Sequence, residues 1–231
     1  MAVDGSTMKN LFKKNLYRFP VLFNLVFKIK NLPSKDVFCR RLKINSFGGG
    51  YVKLSKYILG YNNYMEIGRD SHLSNTRIHI VGNNNKLILG DNCRVGDNCS
   101  FWMEGNNIEI VIGECTTFTH TVHFCAQEDN TIIHIGKDCM FSNTIVVRTS
   151  DSHPIFDSNS VRINPAKSIS IGEHVWIAPN SKIMKGVKIG DGCIIGSDTM
   201  VTKDLPNNVL AVGHPARIVK TDIHWTRERL F

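Results

Sequence analysis

Residues 171–206 read IGEHVW, IAPNSK, IMKGVK, IGDGCI, IGSDTM, VTKDLP, six hexads in unbroken register. The first position is Ile171, Ile177, Ile183, Ile189, Ile195 and Val201. The fifth is Val175, Ser181, Val187, Cys193 and Thr199, with Leu205 closing the run. A period of six fits neither a 3.6-residue helix nor simple strand alternation. It fits short strands joined by corners: one branched aliphatic per hexad points inward, and a small residue fills the space beside it. Gly172, Asn180, Gly190, Asp191, Gly192 and Asp198 fall where the corners belong, and Gly and Asn tolerate the backbone angles that corners demand.

Hexapeptide periodicity is the signature of a parallel β-helix, three hexads making one triangular coil. Each buried Ile contributes roughly 1.5–3 kcal/mol, provided coils above and below cover it. Upstream, NNNKLILGDNC (83–93), GNNIEIVIGEC (105–115) and EDNTIIHIGKDC (128–139) repeat an Asn-rich turn, a strand and an aliphatic–Gly pair. The pairs Leu89–Gly90, Ile112–Gly113 and Ile135–Gly136 are 23 residues apart, so these coils carry about five residues more than an 18-residue coil. From Ile135 to Ile171 is 36, twice 18, and that gap contains RTSDSHPIFDSNSVRINPAKS (148–168), which breaks the pattern. A polar, Pro-containing excursion from a rigid scaffold is where function concentrates.

The expected organisation is an all-β solenoid over 46–206 with this protruding loop, preceded by a basic amphipathic arm (8–45) and followed by an extension (207–231). Residues 1–7, MAVDGST, read as a short appended segment before Met8. The net charge of +8 resides in residues 1–45, and the remainder balances 18 basic against 18 acidic residues. That disfavours nucleic-acid binding by the body. The arm's longest uncharged run, Phe19–Phe27, is too short to cross a bilayer. Two readings of the arm stay open: peripheral contact with an anionic membrane or a partner, or a helical cap on the first coil. Seven cysteines include no CxxC pair, and Cys93, Cys99, Cys139 and Cys193 occupy fifth positions, as small core residues. Free thiols suit a reducing cytoplasm, and no metal-ligand cluster is evident.

His153, in SDSHPIF, opens the loop, and imidazole is the side chain suited to accepting a proton near neutrality. Trp176 ends the hexad IGEHVW and offers a rigid indole donor. HPIF, GEHVWIAPN, IMKGVKIGDGCIIGSDTMVTKDLP and VGHPARIVK together resemble the hexapeptide-repeat acyltransferases of the left-handed β-helix class. GNNNKLILGDNC, GKDCM, SDSHPIF, RIN, HVWI and VKTDIHW resemble the bacterial capsular polysialic acid O-acetyltransferases in particular. The resemblance covers roughly residues 80–225 and alone implies the left hand, since connection rules favour the right.

It further implies acetyl-CoA as donor, an acidic polysaccharide as acceptor and a homotrimer with sites between subunits. Matched motif by motif, His153 falls on the general base and Trp176 on the tryptophan that assists it. The pantetheine arm would run near Ala178 and Ser197. Lys203 and Arg217, and more weakly Lys185, would meet the phosphates, and Arg148 a sugar carboxylate. Ala178 stands where the family commonly has Gly, and Arg217 where Lys is usual. Rival readings are the same donor with an amino sugar, a lipopolysaccharide unit or a small xenobiotic as acceptor; a zinc hydratase, for which His120 and His123 lack the spacing; and a non-catalytic solenoid.

Overall fold

The computed structural model describes residues 42–46, 50 and 52–230. The basic arm therefore lies outside the described residues, except for its last stretch, where strand Leu42–Ser46 already pairs in parallel with Asn63–Ile67. The chain winds as a parallel β-helix. One face is a seven-stranded sheet running from Leu42–Ser46 through Lys86–Leu89, Glu109–Ile112, Ile132–Ile135 and Ile169–Ile171 to Lys188–Ile189. The other two faces merge into a twelve-stranded sheet, because strands such as Thr117–Gln127 and Met140–Arg148 run round the corner between them.

Each face carries a column of inward side chains. On the first, Ile67, Leu89, Ile112, Ile135, Ile171, Ile189 and Leu205 follow one another rung by rung. On the second the order is Leu73, Val95, Phe118, Phe141, Ile177, Ile195 and Ala211. On the third it is Ile78, Phe101, Phe124, Val147, Ile183 and Val201. All are buried, as are the fifth-position residues Val175, Ser181, Val187, Cys193 and Thr199. The hexad reading thus holds residue by residue. Ile135 pairs directly with Ile171, so the 36-residue gap is a single coil with the excursion inserted.

The extra residues of the early coils all lie on one side. Phe101 to Ile112 takes 11 steps, whereas the equivalent Ile183 to Ile189 takes six. The wider coil needs larger fillers, and Phe101, Phe118, Phe124 and Phe141 supply them, with ring centroids 4.9–5.9 Å apart. The enlarged corner is turned by Asn84, Asn107 and Asn130, each at positive φ near 60°. Their amides bond up the stack, Asn84 to Asn107 at 3.3 Å and Asn107 to Asn130 at 3.1 Å. The aliphatic–Gly pairs have a different cause: a Cβ on Gly113 would lie 2.5 Å from the backbone nitrogen of Lys137, so successive coils approach too closely there for any side chain.

Burial pushes the Cys93 and Cys99 thiols up to about 11 and that of Cys139 up to about 12, which fits packing rather than reactivity. The solenoid continues past residue 206, where Leu210–Gly213 adds one more rung on Ile194–Ile195 before a hairpin to Ala216–Lys220. The tail then straps back. Trp225 is buried, stacks on His174 at 4.0 Å and donates from Nε1 to the His174 carbonyl. Arg227 bonds Asp138 and the carbonyls of Cys115 and Cys139. Burial works against the charge on Asp138, but hydrogen bonds from His174 and Arg227 outweigh it and hold the carboxyl below its ordinary range.

Candidate active site

The excursion leaves the third face after Arg148 and rejoins the first face at Ile169. Its tip is a short hairpin closed by Phe156 against Arg162, with Ile163 N donating to Ile155 O. At the base, Asn164 is only 7% exposed and organises the turn that holds His153. Its Nδ2 donates to the His153 carbonyl and to Asp151 Oδ2, both at 2.9 Å, and its Oδ1 accepts from Ile155 N at 2.7 Å. Asp151 also accepts from Lys185 Nζ at 2.5 Å, and Lys185 reaches the Asn164 carbonyl at 3.1 Å. Hydrogen bonds from Lys185 and then Asn164 hold the Asp151 carboxyl below its usual range. Glu128 receives a two-pronged pair from Arg162 at 2.7 and 2.8 Å, which lowers its carboxyl likewise.

The backbone of His153 is therefore anchored while its ring is exposed and, among the described residues, has no hydrogen-bond partner. Asp151 bonds Lys185 and Asn164 rather than the imidazole. Ser152, the hydroxyl next to His153, accepts from Arg148 at 2.9 Å and donates to Gln127 at 2.8 Å. It is tied up as a brace. Arg148 spends Nε on the Ser150 carbonyl and Nη2 on Ser152, so much of its fork shapes the loop base instead of facing an acceptor.

Trp176 lies on the outside of the second face, between Met140 and Ile194 and 5.9 Å from the Trp225 ring. Its Nε1 is buried and lacks an acceptor among the described residues. An orphaned buried donor costs about 1–3 kcal/mol, so it is a natural docking point for an oxygen from outside the chain. No hydrogen bond or ring contact joins Trp176 to His153 in one protomer: the loop springs from the corner opposite the second face.

The residues expected along the donor path are spread over two corners. Lys185 and Lys203 are 18 apart and follow Ile183 and Val201, which pair directly, so they sit one above the other at the corner that carries the loop. Lys185 is held by Asp151, whereas Lys203 is exposed. Ala178 and Ser197 lie at the opposite turn. The Ala178 N–H already bonds the Ile195 carbonyl, and its own carbonyl accepts from Ser181, so the solenoid uses both groups. Ser197 and Arg217 are exposed. Sequence reasoning assigned no role to Asn164 or Trp225, although both stand inside the quoted motifs RIN and VKTDIHW. Among the described residues no cluster of three metal-ligating side chains occurs, and no helix is long and apolar enough to cross a membrane.

The clamped loop corner predicts a specific response to acid. Carboxyls whose values are depressed on folding stabilise the structure above their unfolded values, and that stability is lost as pH falls through the folded ones. For Asp151 and Glu128 the ordinary values are 3.8 and 4.5. Hydrogen exchange in residues 152–164, corrected for its intrinsic pH dependence, should stay flat from mildly alkaline to mildly acid conditions and rise below about pH 4. Loosening that began near neutrality would contradict the role given to these two carboxylates.

The repeating triangular solenoid matches solved hexapeptide-repeat structures of the left-handed β-helix class. Residues 168–203 match the model described as bacterial transferase hexapeptide (six repeats). The structure of the polysialic-acid-specific acetyltransferase NeuO is 30% identical, covers 82% of this chain and 89% of that one, and superimposes with a TM-score of 0.52. That of the polysialic acid O-acetyltransferase OatWY is 28% identical over 82% of this chain and 93% of that one, with a TM-score of 0.70. A polysialic acid O-acetyltransferase of Escherichia coli O1:K1 / APEC is 44% identical over 84 residues, 36% of this chain. That match spans 27% of the relative's length. The chain belongs to the hexapeptide-repeat acyltransferase family.

Proposed function

We propose that the protein transfers an acetyl group from acetyl-CoA to a hydroxyl of an acidic sugar polymer, sialic-acid-containing, with His153 as general base. The single observation that carries this is the Asn164 clamp: it fixes the His153 backbone and leaves the ring exposed at the loop corner. The two solved relatives named for polysialic acid supply the acceptor class.

In the proposed reaction the neutral imidazole takes the proton of the sugar hydroxyl as its oxygen attacks the thioester carbonyl. The tetrahedral intermediate collapses, the carbon–sulfur bond breaks, and the imidazolium returns the proton to the departing coenzyme A thiolate. No acyl-enzyme forms, consistent with Ser152 being engaged on both sides. The developing oxyanion needs a donor, and the unpartnered Nε1 of Trp176 from a neighbouring copy is our candidate. Ile155, Phe156, Val161 and Ile163 are each more than half exposed on the loop tip, an apolar patch that a homotrimer would cover. Exposed Lys203 and Arg217 are the proposed phosphate contacts, with Ser197 beside the pantetheine arm; Lys185 is reassigned to positioning.

The test is acetyl-CoA with polysialic acid, a nucleotide-activated amino sugar and chloramphenicol in parallel, reading thiol release and acceptor mass. Turnover confined to the acidic polymer is the expected result. Turnover confined to the amino sugar or chloramphenicol would replace the acceptor assignment, and thiol release with none of them would remove the transferase reading.

A further inference from the structure

The third face has a second chemical feature, remote from His153. A cavity of about 530 Å³ opens at the corner between the second and third faces, lined by Lys53, Ser55, Asn75, Arg77, Asn98 and Ser100. Its volume lies within the range of small-ligand sites. Among the described residues no carboxylate comes within ion-pair distance of Lys53 or Arg77. The nearby Asp97 accepts from Asn75 Nδ2 at 2.7 Å. Two free cations, two amides and two hydroxyls on one concave wall suit an anion carried on a polar, hydroxylated body.

The cavity is also in line with the loop. Ser55, Arg77, Ser100, His123 and Val146 occupy one outward column of the third face, and Arg148 lies two residues beyond Val146 on the same strand. Ser100 Oγ and His123 Nδ1 are 2.6 Å apart. Burial, and then Arg148 and Arg77, push the His123 imidazole below its ordinary value. Three rungs at about 4.8 Å place Arg77 roughly 14 Å below the rung where the loop departs. Beside this column Tyr57, His79 and Trp102 form a stacked aromatic ledge, with centroids 4.9 and 3.5 Å apart.

We infer that this cavity is a remote subsite for a carboxylate-bearing sugar of the same polymeric acceptor, held by Lys53 and Arg77 while a unit farther along the chain lies at His153. The inference rests on the functional reading above, and its test separates the two. Binding is measured by fluorescence anisotropy of end-labelled polysialic acid on the His153→Ala protein, with and without Lys53→Ala and Arg77→Ala. Affinity is expected to fall about tenfold and its salt dependence to flatten. In the active enzyme the polymer KM should rise by a similar factor. The preference in kcat/KM for polymer over monomeric sialic acid should shrink, because a monomer cannot span three rungs. Both cations are exposed, and Arg77→Gln alone, which removes the charge but keeps a polar side chain, should give part of the loss. Unchanged polymer affinity and KM would overturn the subsite even if acetylation occurs. Binding lost in the double variant without any acetylation by the wild-type chain would leave the subsite standing and remove the functional reading.

Discussion

Replacing His153 with alanine is expected to lower kcat by about 10²–10⁴-fold while leaving the solenoid intact. The loss follows from removing the exposed imidazole, since the Asp151 carboxylate on the same turn is engaged by Lys185 and Asn164. The intact fold follows from the ring's surroundings: it is exposed and has no partner among the described residues, so its truncation should move stability by no more than about 0.5 kcal/mol. Near-normal turnover in the purified variant would eliminate His153 as the base. The same variant reports where the site is. Trp176→Phe keeps the ring but removes Nε1–H, and it should cost about 10²-fold if that proton meets the oxyanion. Because His153 and Trp176 make no contact within one protomer, mixing unfolded His153→Ala and Trp176→Phe chains and refolding them together should restore measurable activity, since some shared sites then carry both groups. Mixed oligomers with no recovery would place the whole site in a single chain or deny Trp176 its part.

The core was legible because a hexad writes its inward residue directly into the sequence. Ile171 through Val201 announce their columns, and Leu89, Ile112 and Ile135 announce theirs through the glycine that follows each. The 23-residue coils were legible in number but not in shape. That the additional residues all widen one side depends on which side Phe101 and Phe124 must fill, and this is decided by packing across coils. The loop base was opaque for another reason. Asn164 acts on the His153 carbonyl 11 residues away and receives Lys185 from 21 residues away, and backbone atoms leave no residue-type signature. The strap was hidden likewise: Trp225 meets His174 across 51 positions. Arg148 and Lys185 looked like free cations because their partners, Ser152 and Asp151, lie in an irregular segment without a period to reveal them.

Asn164→Ala is expected to lower kcat about 10²-fold without touching the reacting atoms. Truncation removes the donor to the His153 carbonyl, the donor to Asp151 and the acceptor for Ile155 N at once. Each buried group left without a partner costs about 1–3 kcal/mol, enough to let the turn adopt other conformations. The coil beneath keeps its own ladder, so the thermal midpoint should drop far less than the activity, and KM for acetyl-CoA should hold because the Asn164 side chain bonds Asp151, His153 and Ile155, not Lys203 or Arg217. Asn164→Asp separates positioning from bulk. The carboxylate preserves the acceptor for Ile155 N, but it faces Asp151, whose Oδ2 lies 2.9 Å from the present Nδ2. Two like charges at that distance repel unless one takes a proton. The aspartate variant should therefore be as impaired as the alanine one near neutrality and should recover part of its kcat in mildly acid solution, relative to wild type at the same pH. A purely structural asparagine would give no such pH-dependent recovery, and wild-type kcat in the alanine variant would show that the imidazole finds its place without the clamp.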